Sequence, residues 1–272
     1  MKPARFKYIA ADTLPAALAA KAQYGPEARF LAGGQSLIPA MNFRLAQPAV
    51  LIDINPLAEL DFVREDGALR IGALTRNRTL ERSPLVAERQ PLLAEAVAHV
   101  AHPQIRNRGT FGGNLAHADP ASELPAVALA LGARLRLQSA KSGRWIDAKA
   151  FFTGALTTAL RDDEMLIEVE LPSLPLRTGT SFLEVARRRG DYAMMGVAAV
   201  VTGGKEARIA LCNAGDTPVL LTLQQDQFGD AGALVQDAID PPGNVHATKA
   251  FQKHLAGVLT RRALEIARER SR

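Results

Sequence analysis

Cysteine is nearly absent from this 272-residue chain, with Cys212 the only one. A disulfide within the chain is thereby excluded. An iron–sulfur cluster held by this chain alone is excluded too, since such clusters take about four thiolates. The expected compartment is the reducing cytoplasm. Aromatic residues make up only 5%, too few for the stacking platforms that single-stranded nucleic acids use. No eighteen apolar residues run together, so no transmembrane helix is expected. The first twenty residues carry charge and no continuous apolar stretch, so no secretory signal is expected either. G-x-G-x-x-G and the Walker loop are both missing, which leaves Rossmann and P-loop readings without support. Neither H-E-x-x-H nor G-x-S-x-G occurs.

What is present describes a globular chain, 47% hydrophobic and 22% charged, long enough for one large domain or two moderate ones. The net charge is +5. Its densest arginine runs are Arg187–Arg189 and the segment from Arg261 to Arg272, where Glu265 and Glu269 are interleaved. That pattern fits a solvated helix face better than a nucleic-acid track, and no nucleic acid is expected.

Residues 13–24 read as a helix capped by Thr13 with Pro15 in its first turn. Short apolar strands are expected at 28–33 and 50–54. A hairpin is expected over 61–75, turning at Asp66-Gly67. A helix over 91–101 carries Leu92, Leu93, Ala96, Val97 and Val100 on one stripe. Another runs over 122–133, capped by Ser122 and closed by Gly132. Strands follow at 133–139 and 165–172. The proline-rich stretch 172–180 is the best boundary, dividing the chain into domains 1–172 and 173–272. The second domain reads as a small sheet with helices after it. The last helix, about 247–270, places Phe251, Leu255, Val258, Leu259 and Ile266 on one face.

Two glycine pairs carry the chemistry. Gly33-Gly34 follows a strand and precedes Gln35 and Ser36. Gly112-Gly113 lies between Thr110 and Asn114. Adjacent glycines let backbone N–H groups approach a pyrophosphate without side chains in the way. Each pair alone is more readily an ordinary turn; together, with hydroxyl and amide neighbours, they become a plausible phosphate cradle.

The stretch FLAGGQSLIPAMNFRLAQPAVLIDI at 30–54 resembles the first FAD loop of the medium flavoprotein subunits of molybdenum hydroxylases, the carbon monoxide, nicotine and xanthine dehydrogenase groups. PQIRNRGTFGGNLAHADPASELPA at 103–126 resembles their second loop. RRRGDYAMMGVAAVV at 187–201 resembles the opening of their C-terminal domain. The motifs fall in family order and span nearly the whole chain. The resemblance implies an α+β protein: an FAD-binding domain of the p-cresol methylhydroxylase and vanillyl-alcohol oxidase type, then a small α/β domain. It implies FAD held by Ala32, Gly33, Gly34, Gln35, Ser36, Leu37, Thr110, Gly112, Gly113 and Asn114, with Glu123 on the cofactor's hydroxyls. Leu166 and Val100 would be apolar contacts, and Tyr192 would lie near the isoalloxazine. Gln35 stands where many relatives have histidine. Glu184 lies near a position where several carry lysine.

The same resemblance implies a redox enzyme of several chains, with a dimer of heterotrimers as one arrangement. A large subunit would carry a molybdopterin cofactor and a small one two [2Fe–2S] clusters. This chain would pass electrons through FAD, with no catalytic acid, base or nucleophile of its own. A stand-alone flavin oxidase of the same fold, or a nucleotide-binding module without redox chemistry, are the other readings. His99, His102, His117 and Asp119 lack metal-ligand spacing and read as solvated or supporting residues. Ser36 lacks a triad context, and Cys212 reads as a buried structural thiol.

Overall fold

The computed structural model describes residues 2–272. Strand β1 (Lys7–Ala10) leads into helix α1 (Leu14–Tyr24), where the Thr13 hydroxyl accepts the Ala16 N–H and caps the first turn. Strand β2 (Ala28–Leu31) delivers the first glycine pair to the short helix α2 (Leu37–Asn42), and β3 (Val50–Asp53) follows. These three strands form a parallel sheet ordered β1-β3-β2. Parallel neighbours need crossover connections, and α1 and α2 supply them. Ala17 and Leu18 of α1 pack with Val50 and Ile52 in one apolar cluster.

Strands β4 (Val63–Glu65) and β5 (Ala68–Gly72) make the expected hairpin, with Gly67 at φ +67° in its turn. Five short helices follow: α3 (Asn77–Arg82), α4 (Pro84–Arg89), α5 (Pro91–Val97), α6 (Pro103–Arg106) and α7 (Phe111–His117). Helix α5 stops at Val97, four residues short of expectation. Val100 sits in the turn beyond it, still buried. Its carbonyl and that of Ala101, which is at φ +45°, are taken by the Arg106 guanidinium rather than by a helical amide.

Helix α8 (Glu123–Leu131) is buried along its whole length and ends at Gly132 in the left-handed region. Ser122 does not cap it as expected; its hydroxyl donates to Asn114 Oδ1 instead. Strands β6 (Arg134–Gln138) and β7 (Gly143–Asp147) come next. Then follow α9 (Ala148–Phe151), the small β8 (Phe152–Gly154) and β9 (Thr157–Thr158) pair, and β10 (Met165–Pro172). The second sheet is antiparallel, ordered β4-β5-β10-β6-β7. Its central strand β10 carries buried Glu168 among Arg64, Arg70 and Arg136, so the buried charge is matched.

The remaining residues form a four-stranded antiparallel meander: β11 (Thr178–Ala186), β12 (Ala193–Thr202), β13 (Glu206–Cys212) and β14 (Val219–Gln224). Helices α10 (Ala231–Ala238) and α11 (Lys249–Arg270) complete it. The expected stripe on α11 is corrected here. Phe251 is 44% exposed, and the buried face is made of Gln252, Ala256, Gly257, Leu259, Thr260, Ala263, Leu264 and Ala267. Small residues let the helix backbone lie against the sheet: a Cβ on Gly179 of β11 would stand 1.9 Å from the Ala267 carbonyl oxygen. The two halves share one core, with Phe182, Ala198 and Cys212 packed in the cluster that holds α5 and α8.

Candidate cofactor site

The glycine segment that follows β2 lies against the turn that leads into α7. A Cβ on Gly33 would lie 2.4 Å from the Arg108 carbonyl oxygen and 2.8 Å from Gly109 Cα. A Cβ on Gly113 would lie 2.6 Å from Thr110 Oγ1 and 3.8 Å from Ala32 Cβ. The segments 32–37 and 110–114, nearly eighty residues apart in sequence, therefore lie side by side, and only glycine at position 33 permits the approach to the Arg108–Gly109 backbone.

The second segment is not a loop, as expected, but the N-terminal turn of α7. Thr110 caps it by accepting the Gly113 N–H at 3.1 Å. The Phe111 N–H goes to the Thr75 carbonyl and the Gly112 N–H to that of Ala73. The amides expected to face a phosphate are thus engaged within the protein. Gly112 serves packing, since its Cβ would be 2.5 Å from that of Ala73, whereas Gly113 is exposed and lines the cleft. Two glycines in a seven-residue helix cost about 1 kcal/mol each against alanine, so packing on Ala73 and the Thr110 cap sustain it.

The donors lie in the first segment. The first intrahelical bond of α2 runs from the Ile38 N–H to the Gly34 carbonyl. The amides of Gln35, Ser36 and Leu37 come ahead of it, among those a helix start leaves without an intrahelical acceptor. Such amides favour anionic oxygen. Ser36 makes no side-chain cap bond, and Gln35 Nε2 folds back onto the Gly33 carbonyl at 3.0 Å. Gly34 supplies a positive φ of 72°.

Two residues that sequence reasoning passed over hold the segments together. Asn55 Nδ2 donates to the Ala32 carbonyl at 2.9 Å. Arg76 donates to Asn55 Oδ1 at 2.8 Å and to the Arg108 carbonyl at 2.6 Å. One guanidinium thus spans both walls of the cleft. Desolvation pulls the Arg76 guanidinium below its usual range. Neighbouring Asp53 is desolvated too, yet hydrogen bonds from Tyr8 and Asn55 hold its carboxyl below the usual range. An arginine preceding a helix gave no signal in sequence, because its partners are distant along the chain.

The other expected residues gather in two places. Leu166 lies on β10 beside Ile167, whose carbonyl accepts the N–H of Ala73, the residue under Gly112. Asn114, Glu123 and Tyr192 gather at the far end of the cleft. Glu123 opens α8 and is 4% exposed; desolvation, reinforced by Glu184 and Asp119, pushes its carboxyl up to about 8. Tyr192 presents its ring outward at 64% exposure, with Asp119 nearby. Desolvation of its phenol and the Asp119 carboxylate push it up to about 12. Burial pushes the Cys212 thiol well above its usual range, as expected of a structural cysteine. Val100 packs in the core behind this end. Among the described residues no cluster of three or more His, Cys, Asp or Glu is placed to hold a metal ion.

The chain is a two-part α+β fold in which two glycine segments are brought together beside the parallel sheet, an arrangement suited to a phosphate-bearing cofactor. The family described as "FAD binding domain in molybdopterin dehydrogenase" matches residues 4–174, and "CO dehydrogenase flavoprotein C-terminal domain" matches 180–267. The chain is 38% identical to the 6-hydroxypseudooxynicotine dehydrogenase complex subunit alpha of Paenarthrobacter nicotinovorans, covering 100% of this chain and 97% of that one. It is 36% identical to the carbon monoxide dehydrogenase medium chain of Hydrogenophaga pseudoflava, covering 98% of each. A solved structure of carbon monoxide dehydrogenase from that organism, lacking the Mo-pyranopterin moiety of its cofactor, superposes with a TM-score of 0.95 at 36% identity, covering 99% of each chain. The chain belongs to the FAD-binding medium subunits of the molybdenum hydroxylases, as its motifs led us to expect. It is an oxidoreductase subunit.

Proposed function

We propose that this chain holds FAD in the cleft between its two N-terminal sheets and relays electrons from the [2Fe–2S] clusters of a small subunit to an external acceptor. A large subunit carrying the molybdopterin cofactor would oxidise the substrate. We further place the domain division at 172/173 and the assembly in the cytoplasm.

The observation that carries this reading is the approach of the two glycine segments, with Gly33 set against the Arg108–Gly109 backbone where no Cβ would fit and Gly113 facing Ala32. Ala32 to Leu37 would bind the pyrophosphate through backbone amides at the start of α2. Thr110 and Gly113 would form the opposing wall, with Gly112 behind them letting α7 pack on Ala73, and Asn114 would offer its Nδ2. Glu123 would accept hydrogen bonds from cofactor hydroxyls, Leu166 and Val100 would supply apolar surface, and Tyr192 would cover the ring. Bound FAD supplies reversible two-electron storage; the protein positions it and excludes water. The stand-alone oxidase reading is weaker, because the second domain, residues 173–272, is small and carries Tyr192 as its one tyrosine, with few aromatics to build a substrate site. Co-expression with the two partner subunits tests the relay. Rapid mixing with the substrate of the large subunit should bleach the FAD in the assembled complex and leave it unchanged in this chain alone. Bleaching of the isolated chain would reverse the conclusion in favour of the oxidase.

A further inference from the structure

The Tyr192 ring is exposed, yet the backbone that carries it is held on both sides. Tyr192 ends the strap of residues 187–192, which joins β11 to β12. Within the strap, Gly190 at φ +89° lies against the turn between α5 and α6. A Cβ there would stand 2.4 Å from His102 Nδ1 and 3.1 Å from the Ala101 carbonyl oxygen. The Asp191 N–H closes the strap's own turn on the Arg188 carbonyl at 3.0 Å.

On the other side stands Asn213, directly after β13. It is buried, and its φ of 57° is one that asparagine tolerates better than most side chains. Its Nδ2 donates to the carbonyl of Ala193, the residue after Tyr192, at 2.8 Å and to that of Met194 at 3.2 Å. Two acceptors on one side fix which way the amide points. The Asn213 N–H donates to the Pro120 carbonyl at 2.6 Å. Pro120 belongs to the turn between α7 and α8. In that turn Asp119 Oδ1 accepts the Ala121 N–H at 2.9 Å, and the Ser122 hydroxyl donates to Asn114 Oδ1 at 2.7 Å. One residue thus ties the strand that follows Tyr192 to the turn flanked by Asn114 and Glu123. An asparagine of an ordinary turn bonds its own neighbours; this one is buried and reaches back twenty residues. Gln252 of α11 backs the arrangement. Its Nε2 donates to the Met194 carbonyl at 3.2 Å, and its Oε1 accepts the Gly243 N–H at 2.9 Å.

We propose that Asn213 is a positioning residue for the cofactor site: it holds the Tyr192 backbone in place against the α7–α8 turn, so that the phenol is set for the flavin ring before FAD binds. This rests on FAD occupying the cleft with its ring at Tyr192. The strap is a surface loop, and a free loop loses conformational entropy when a ligand orders it. Anchors at Gly190 and Ala193 meet that cost during folding. Only the two side-chain torsions of Tyr192 remain to be fixed on binding. The Asn213 side chain touches neither substrate nor cofactor; it acts through the backbone on either side of the Tyr192–Ala193 peptide bond.

The test reads flavin fluorescence lifetimes in the full FAD-loaded chain. A phenol in contact with an excited flavin quenches it by electron transfer, and phenylalanine does not. Tyr192→Phe should therefore lengthen the lifetime of the bound flavin. Asn213→Gly keeps the left-handed backbone and the N–H to Pro120, and removes only the side-chain amide. It should retain stoichiometric FAD and lose most of the quenching that Tyr192 provides. The double variant should match Tyr192→Phe alone, since both changes act through one contact. Gly190→Ala, which presses on His102 from within the strap, should also lengthen the lifetime with FAD retained. A wild-type lifetime in FAD-loaded Asn213→Gly overturns the proposal, as does a double variant that brightens additively. If Asn213→Gly does not fold, Gly190→Ala decides, and a wild-type lifetime there overturns the proposal. Unchanged emission in FAD-loaded Tyr192→Phe, or a wild-type chain that binds no FAD, overturns the reading beneath it as well.

Discussion

Glutamine at position 123 isolates the cost of burying the carboxyl at the head of α8. Glu123 is 4% exposed, and its carboxyl stands at about 8 against an ordinary 4.5. A raised acid contributes nothing below the unfolded value, where both states hold the proton. Stability then falls as pH rises from about 4.5, because the unfolded chain releases the proton first, and the loss is complete above about 8. At 1.36 kcal/mol per pH decade, the full loss is about 5 kcal/mol, with about 3 kcal/mol already gone at pH 7. Glu123→Gln keeps the shape and removes the ionisation. Urea unfolding of the flavin-free chain should show the variant level with wild type near pH 4.5, and ahead by about 3 kcal/mol near pH 7 and more near pH 9. A difference that does not change with pH would refute the reasoning, since the carboxyl would then titrate alike in both states.

Other perturbations follow from single contacts. Arg76→Met removes the guanidinium that joins Asn55 to the Arg108 carbonyl. FAD affinity by titration should fall about tenfold, or 1.4 kcal/mol, with the circular dichroism spectrum intact. Arg144→Met strips Glu164, whose carboxylate is nearly buried, of hydrogen bonds at 2.7 and 2.8 Å. The cost should be about 3 kcal/mol in urea unfolding at neutral pH, with FAD affinity unchanged because the pair lies on the outer part of the second sheet.

Local signals were legible in the sequence where the chain settles the matter locally. The Thr13 cap, the Asp66-Gly67 turn and the Gly132 stop each act within one turn of backbone, and each appears in the structure. The glycine pairs were legible as a cradle, but their division of labour was not. Gly112 and Gly113 look like a loop because glycine disfavours helices; the helix exists because Ala73 lies against it and Thr110 caps it. The α11 stripe was misread because large apolar residues were weighted over Ala256, Thr260, Ala263 and Ala267, whose small size is what permits close packing on the sheet. Asn55 and Arg76 gave no signal, since their function lies in partners more than twenty residues away. Glu184 drew notice only as a departure from relatives. Its pairing with His99 is visible only once β11 is folded against α5.

The central claim is that the converging glycine segments are the FAD site, and Gly113 tests it most directly. It is exposed, carries no positive φ, and would project a side chain toward Ala32 across the cleft. Wild-type chain incubated with FAD and freed of excess by gel filtration should retain one flavin per chain. Gly113→Val should retain almost none while remaining folded, with an unfolding free energy lower by about 1–2 kcal/mol because its Cβ presses on the Thr110 Oγ1 that caps α7. Stoichiometric flavin on a folded Gly113→Val chain would contradict the assignment.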